Sequence, residues 1–179
     1  MKIVILDYAT LGYDLDLSGA SLLGTVVKYE KTSQSEAAER IKDADAVIVN
    51  KVKMTSDVLK DAKNLKLICE TATGFDNIDI DYCRENGILV ANTPAYSSAC
   101  VAQVTASMAL SLVTRLRDYE ENVNSGEYTR RGNANCLVPV YHELCGKTWG
   151  IVGYGNIGKQ VARVAEAMGC RILVYKRTL

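Results

Sequence analysis

Short, unbroken apolar runs alternate with polar stretches of helical spacing along the N-terminal half of the chain. Lys2-Ile3-Val4-Ile5-Leu6-Asp7 is β-branched and ends in an acid; Ala46-Val47-Ile48-Val49-Asn50, Leu65-Lys66-Leu67-Ile68-Cys69 and Ile88-Leu89-Val90-Ala91-Asn92 follow it. Runs that are apolar at successive positions, not at every second one, predict strands buried on both faces, as in a parallel sheet. Polar segments such as Ser35 to Lys42 and Ser56 to Lys63 carry helix-like spacing between those runs. Strand alternating with helix predicts an α/β unit whose crossovers are right-handed.

A longer helix is predicted next. Ser97 or Ser98 stands where it can cap a helix running through Val101, Val104, Met108, Leu112 and Leu116, an apolar stripe at three- and four-residue spacing that calls for a partner surface. Such a helix is expected to link two lobes. Asn122 to Asn135 holds Gly126, Gly132, several asparagines and charges without a period, and reads as an exposed excursion. A second strand-helix-strand pattern then runs from Lys147 through Thr148-Trp149-Gly150-Ile151-Val152, a glycine turn, a helix from Asn156 to Met168, and Arg171-Ile172-Leu173-Val174-Tyr175. One crossover with two strands is only the first piece of a dinucleotide-binding sheet. Its uncovered edge and faces lead us to expect poor solubility or self-association.

Composition narrows the partner. At 179 residues the chain suits one ordinary domain or two small ones. Lys+Arg 21 equals Asp+Glu 21, so no excess of either charge marks a nucleic-acid or anionic-membrane ligand, and a small soluble molecule is the expectation. The N-terminus lacks the layout of a signal peptide, and no apolar span reaches about 20 residues, so a cytoplasmic protein away from membranes is expected. Cys69, Cys83, Cys100, Cys136, Cys145 and Cys170 include no C-x-x-C pair. They read as small buried hydrophobes in a reducing compartment, with no metal site.

Gly153-Tyr154-Gly155-Asn156-Ile157-Gly158 is a G-x-G-x-x-G between a strand and a helix, the context that a dinucleotide fingerprint requires. Gly153 suits the tight turn, Gly155 lets a pyrophosphate approach the backbone, and Gly158 lets helix and strand pack closely. The helix N-terminus would then receive the phosphates. The bland alternative is a glycine-rich turn without a ligand. After the second strand the chain reads Lys176-Arg177-Thr178 where an NAD-binding protein usually places an acid. Two cations and a hydroxyl suit a 2′-phosphate, which favours NADP over NAD; the alternative is a solvated surface pair.

Four ordered blocks make the chain resemble the D-isomer-specific 2-hydroxyacid dehydrogenases. They are Asn50-Lys51-Val52, Ala72-Thr73-Gly74-Phe75-Asp76-Asn77-Ile78-Asp79, Val90-Ala91-Asn92-Thr93-Pro94, and Glu143-Leu144-Cys145-Gly146-Lys147-Thr148 leading into the fingerprint. The resemblance implies a flavodoxin-like, parallel-sheet substrate lobe over residues 1–98. Residues 99–179 would hold the interdomain helix, an arm and the truncated start of a Rossmann dinucleotide-binding domain, with a ligand cleft between the lobes. It implies that backbone amides of Ala72, Thr73, Gly74 and Phe75 receive the substrate carboxylate, for which clustered amides beside a glycine are suited. Read from the residues alone, the lesser alternative for the same segment is a helix-capping turn held by Asp76 and Asn77. Lys51, just past a strand end, offers a cation or its amide to the substrate, or is a solvated lysine. The Asn-Lys-Val block resembles the glycerate dehydrogenase and hydroxypyruvate reductase branch, favouring hydroxypyruvate or glyoxylate.

In that family hydride passes between a nicotinamide and C2 of the acid, while an arginine fixes the substrate and a histidine paired with a glutamate exchanges the proton. These three are expected beyond Leu179. His142, the single histidine, reads as a structural or surface group, and Arg115, Arg117, Arg130 and Arg131 match no catalytic position. The chain alone is therefore expected to be inactive. The long helix and the arm resemble the family's dimer-forming region, which implies a homodimer. The competing expectations are a non-catalytic, corepressor-like nucleotide sensor and an inactive fragment.

Overall fold

β1 (Lys2–Ile5), β2 (Thr25–Lys28), β3 (Ala46–Val49), β4 (Leu67–Glu70) and β5 (Leu89–Ala91) form one sheet in the order β2-β1-β3-β4-β5, every neighbouring pair parallel. The computed structural model describes residues 1–132, 135 and 137–177. The chain divides into two units, Met1–Pro94 and Ala95–Leu179. The strand order of the first unit is that of a flavodoxin-like fold, as expected.

The connections carry α1 (Ser18–Leu23), α2 (Gln34–Ile41), α3 (Ser56–Leu59) and α4 (Ile80–Glu85), with a 3₁₀ turn at Tyr8–Thr10. The apolar runs of β1, β3 and β4 supply the core, where Val4, Leu6, Ile41, Val47, Met54 and Ile68 lose essentially all exposure. Each such side chain contributes roughly 1.5–3 kcal/mol by leaving water. Two features depart from the sequence reading. β2 was absent from the four expected strands; with Thr25 and Lys28 exposed it is an edge strand, created by register with Lys2 to Ile5 more than by its own pattern. β5 is not buried on both faces: Leu89 remains 71% exposed.

In the second unit β6 (Thr148–Val152) and β7 (Arg171–Tyr175) pair in parallel, joined by α8 (Asn156–Ala167). α5 (Ser98–Thr114) packs on them through Ala102, which joins Ile151, Val161 and Ala162 in a small core with Trp149 and Ile172 at its rim. Small side chains at Ala102 and Ala106 allow that close approach. The larger stripe of the sequence reading points elsewhere: Val104, Met108 and Leu112 are exposed. The opposite sheet face is bare as anticipated, with Val152, Leu173 and Tyr175 all exposed.

The long helix also stops short of Leu116. Arg115 adopts φ 52°, and α6 (Leu116–Asn124) leaves it at an angle of 67° to α5. Ser97 occupies the N-cap position of α5 without a side-chain cap bond, and Ser98 is already inside the helix. The expected excursion contains a helical turn, α7 (Glu127–Arg131), where Glu127 pairs with both Arg130 and Arg131. Cys83 and Cys170 are buried, but Cys100 and Cys145 are exposed, so they are not core hydrophobes; Cys136 lies outside the described residues. No single helix among the described residues is long and apolar enough to cross a membrane.

Truncating a core strand should separate sharply from truncating β5. Ile68→Ala is expected to cost about 2–5 kcal/mol and Leu89→Ala no more than about 0.5 kcal/mol, read from urea unfolding. Equal losses would contradict the burial of these two strands.

Candidate functional site

Parallel strands that end in register deliver several loops to one edge, and in the first unit that edge carries two buried acids. Asp7, just past β1, is 5% exposed and accepts the backbone N–H groups of the chain leaving β3. Those bonds come from Asn50 at 3.1 Å, Lys51 at 2.5 Å and Val52 at 3.4 Å. Glu70, the last residue of β4, is 2% exposed. Its Oε1 accepts Ala72 N–H at 3.2 Å and its Oε2 accepts the Asn77 side-chain amide at 2.9 Å. Asn77 Nδ2 also reaches the carbonyl of Val52 at 3.2 Å, and Met54 and Ile78 bridge, so the loops after β3 and β4 are sewn together.

These bonds decide which groups remain available. The Lys51 amide is bonded to Asp7, which leaves its exposed ammonium as the group it can offer. The Ala72 amide is bonded to Glu70. The Ala72 carbonyl accepts from Thr93 N–H at 3.0 Å and the Thr73 carbonyl from the Asn92 side chain at 2.8 Å, both at the β5 end. Across a planar trans peptide the N–H opposes the carbonyl. The Thr73 and Gly74 N–H groups therefore face away from β5, toward the side of β3, and with that of Phe75 they meet no acceptor among the described residues. Asn50, Lys51, Ala72, Gly74, Asp76 and Asn77 line a shallow hollow of about 340 Å³ there. Phe75 is 43% exposed nearby in the chain.

The helix-capping alternative for residues 72–77 fails on geometry. Asp79 caps α4 by accepting Tyr82 N–H at 3.0 Å, whereas Asn77 serves the inter-loop contacts. Asn50 adds an acceptor in need of a donor. Thr10 Oγ1 donates to the Asp7 carbonyl, so it must accept from Asn50 Nδ2, and Asn50 Oδ1 is left buried without a partner. Asp7, Asn50, Glu70 and Asn77 were missed or misassigned from sequence; the available signal was an acid or amide closing an otherwise apolar strand.

In the second unit, the turn from Gly153 to Gly155 links the parallel strand β6, of which only Ile151 is buried, to α8, whose first turn carries Gly158. Gly153 has φ +94° and donates its N–H to the Tyr175 carbonyl at 2.9 Å. A Cβ on Gly158 would stand 2.2 Å from the Gly153 carbonyl oxygen, so close helix-strand packing demands glycine there. Gly155 differs: its φ is −83° and a Cβ would meet nothing within 4 Å. No side chain caps the first amides of α8. Tyr154 borders the small core, while Asn156 and Ile157 open the helix with Ile157 exposed. Lys176 and Arg177 follow β7, which ends level with β6, so they stand exposed at the same sheet end as the turn. Thr178 lies outside the described residues. His142 is exposed, beside Leu112 and Lys147. Among the described residues no cluster of three or more His, Cys, Asp or Glu is placed to hold a metal.

Burial pushes the Glu70 carboxyl above its usual value near 4.5; bonds from Asn77 and Ala72 and the charge of Lys51 oppose this, and the charge of Asp7 reinforces it. A raised value in the folded state means that the native protein binds more protons than the unfolded chain between the two values. The Glu70 contribution to stability is therefore complete below a pH of about 4.5 and is lost as pH rises through the folded value. Urea midpoints should show Glu70→Gln gaining on the wild type as pH rises; a pH-independent difference would contradict this.

Comparison with known proteins bears on the family and the fold. Residues 5–169 match the model of the D-isomer specific 2-hydroxyacid dehydrogenase catalytic domain. A hydroxypyruvate reductase of Blautia hydrogenotrophica is 35% identical over 179 residues, covering 98% of this chain and 56% of that protein. A glycerate dehydrogenase of Methylorubrum extorquens is 32% identical over 177 residues, 97% of this chain and 55% of the relative. The D-lactate dehydrogenase of Aquifex aeolicus, solved with NAD and lactic acid, superposes with a TM-score of 0.77 at 30% identity over 99% of this chain and 52% of its own. The chain thus spans about half the length of these relatives. By its sequence, its strand order and its glycine turn, the chain belongs to the D-isomer-specific 2-hydroxyacid dehydrogenase family.

Proposed function

We propose that this chain supplies the substrate loop and the first dinucleotide-binding crossover of an NADP(H)-preferring reductase of hydroxypyruvate or glyoxylate. The observation that carries the reading is Gly155. Neither its φ nor its surroundings require glycine, yet it sits where the uncapped amides of α8 begin. A residue without a Cβ at such a place serves the approach of something outside the chain, and an anion is what the helix start accommodates. When bound, the nicotinamide supplies or accepts the hydride. The residues of this chain bind and orient: the amides of Asn156 and Ile157 toward the diphosphate, Lys176 and Arg177 toward a 2′-phosphate, and those of Thr73, Gly74 and Phe75 toward the substrate carboxylate, with the Lys51 ammonium close by. The relatives named for hydroxypyruvate and glycerate support the same substrate class.

On this reading the family's arginine, glutamate and histidine match none of the 179 residues, so the 179-residue protein binds without turning over. Residues 1–98 act as the substrate lobe and 99–179 as the beginning of the cofactor lobe. The exposed stripe of Val104, Met108 and Leu112 on α5 serves a homodimer.

Fluorescence titration of the 179-residue protein should show NADPH binding more tightly than NADH, with no oxidation of NADPH by hydroxypyruvate. Gly155→Ala should weaken NADPH by about tenfold or more with an unchanged melting temperature, whereas Gly158→Ala should lower the melting temperature itself. Tighter NADH binding would overturn the cofactor preference, measurable turnover would overturn the division of labour, and an unaffected Gly155→Ala would remove the support for the nucleotide site.

A further inference from the structure

We infer that Glu70 is a positioning residue of the substrate loop: gripping Ala72 N–H and the Asn77 side chain at once, it fixes the direction in which the next peptide units present their N–H groups. The inference rests on the reading that those groups receive the substrate carboxylate, and it adds a residue that does not itself touch the ligand.

The geometry leaves the carboxyl little other purpose. It closes a strand whose other buried residue, Ile68, is apolar, and an apolar side chain of similar size would fill the place without desolvating an acid. Both oxygens are engaged, and each bond acts on a different part of the loop: Oε1 at its start, on Ala72, and Oε2 at its far end, on Asn77. Between these two points lie Thr73, Gly74, Phe75 and Asp76. On the β5 side the loop is held by Thr73 Oγ1 donating to the Thr93 carbonyl, Asn92 Nδ2 donating to the Thr73 carbonyl, and Thr93 N–H donating to the Ala72 carbonyl. The β5 bonds alone leave the inner corner free to swing about them. Glu70 closes that freedom from beneath the sheet edge, because turning the Ala72 N–H outward would break its bond to the carboxylate. Gly74, with no side chain of its own to hold it, depends most on these flanking anchors.

A glutamine at this place retains the shape and one acceptor but presents an NH₂ in place of one carboxylate oxygen, so it cannot accept from both Ala72 N–H and the Asn77 amide. Asn77→Ala is the complementary variant, which leaves the carboxyl and removes its distal partner. The test is a titration of the ¹⁵N-labelled 179-residue protein with D-glycerate at constant ionic strength, read at the amide signals of Thr73, Gly74 and Phe75. The wild type should show saturable shifts there. Glu70→Gln and Asn77→Ala should each weaken the apparent affinity about five- to tenfold, with melting temperatures and the signals of β1, β3 and β4 close to wild type. Wild-type affinity in both well-folded variants would overturn the positioning role while leaving the substrate-loop reading intact. Absence of any shift at these residues in the wild type would overturn both. Loss of binding accompanied by general displacement of the core signals would show Glu70 to be structural, and would also overturn the proposal.

Discussion

Wherever a parallel strand ends, the chain that leaves it exposes peptide N–H groups that need acceptors, and the supply of those acceptors governs this molecule. In the first unit two buried carboxylates meet the need. Asp7 takes the N–H groups of Asn50, Lys51 and Val52, and Glu70 takes that of Ala72 together with the Asn77 amide. In the second unit no side chain caps α8, and its first amides stay open. The pattern of filled and unfilled donors leaves two groups of open amides, at Thr73 to Phe75 and at the start of α8, and the proposed anion sites rest on these.

The same constraint explains why the acids are buried at all. A carboxylate withdrawn from water is costly unless it is well bonded. Glu70 meets that condition with two donors, although burial still raises its proton affinity. The outcome is a rigid β3 and β4 edge, in which Asn77 joins the two loops and the Met54–Ile78 bridge extends the pairing. On the proposed reading that rigidity serves the substrate, because donors held in advance lose little freedom when a ligand arrives.

Much of this could be read in the residues. Unbroken apolar runs located β1, β3, β4, β6 and β7, and the glycine fingerprint located its turn between a strand and a helix. β2 escaped because its four residues place only Val26 and Val27 partly inside, so its identity comes from pairing with β1. The break at Arg115 escaped because neither glycine nor proline announces it. The stripe on α5 was correctly seen as apolar but not as exposed, since nothing local reveals that Ala102 and Ala106 make the closer packing surface. At the site, Ala72 to Phe75 were legible as a cluster. That Asp7 holds a loop more than forty residues away, and that Glu70 consumes one of the four amides, are tertiary facts with no local signature.

The central claim is that the open amides of α8, beside a glycine with no internal reason to be one, form a diphosphate site. A crystal structure of the protein with ADP-ribose tests it most directly, because that ligand carries the diphosphate without the nicotinamide. The account predicts diphosphate oxygens about 3 Å from the N–H groups of Asn156 and Ile157, lying against Gly155. A diphosphate bound elsewhere on the chain, or an empty α8 start at saturating ligand, would contradict it.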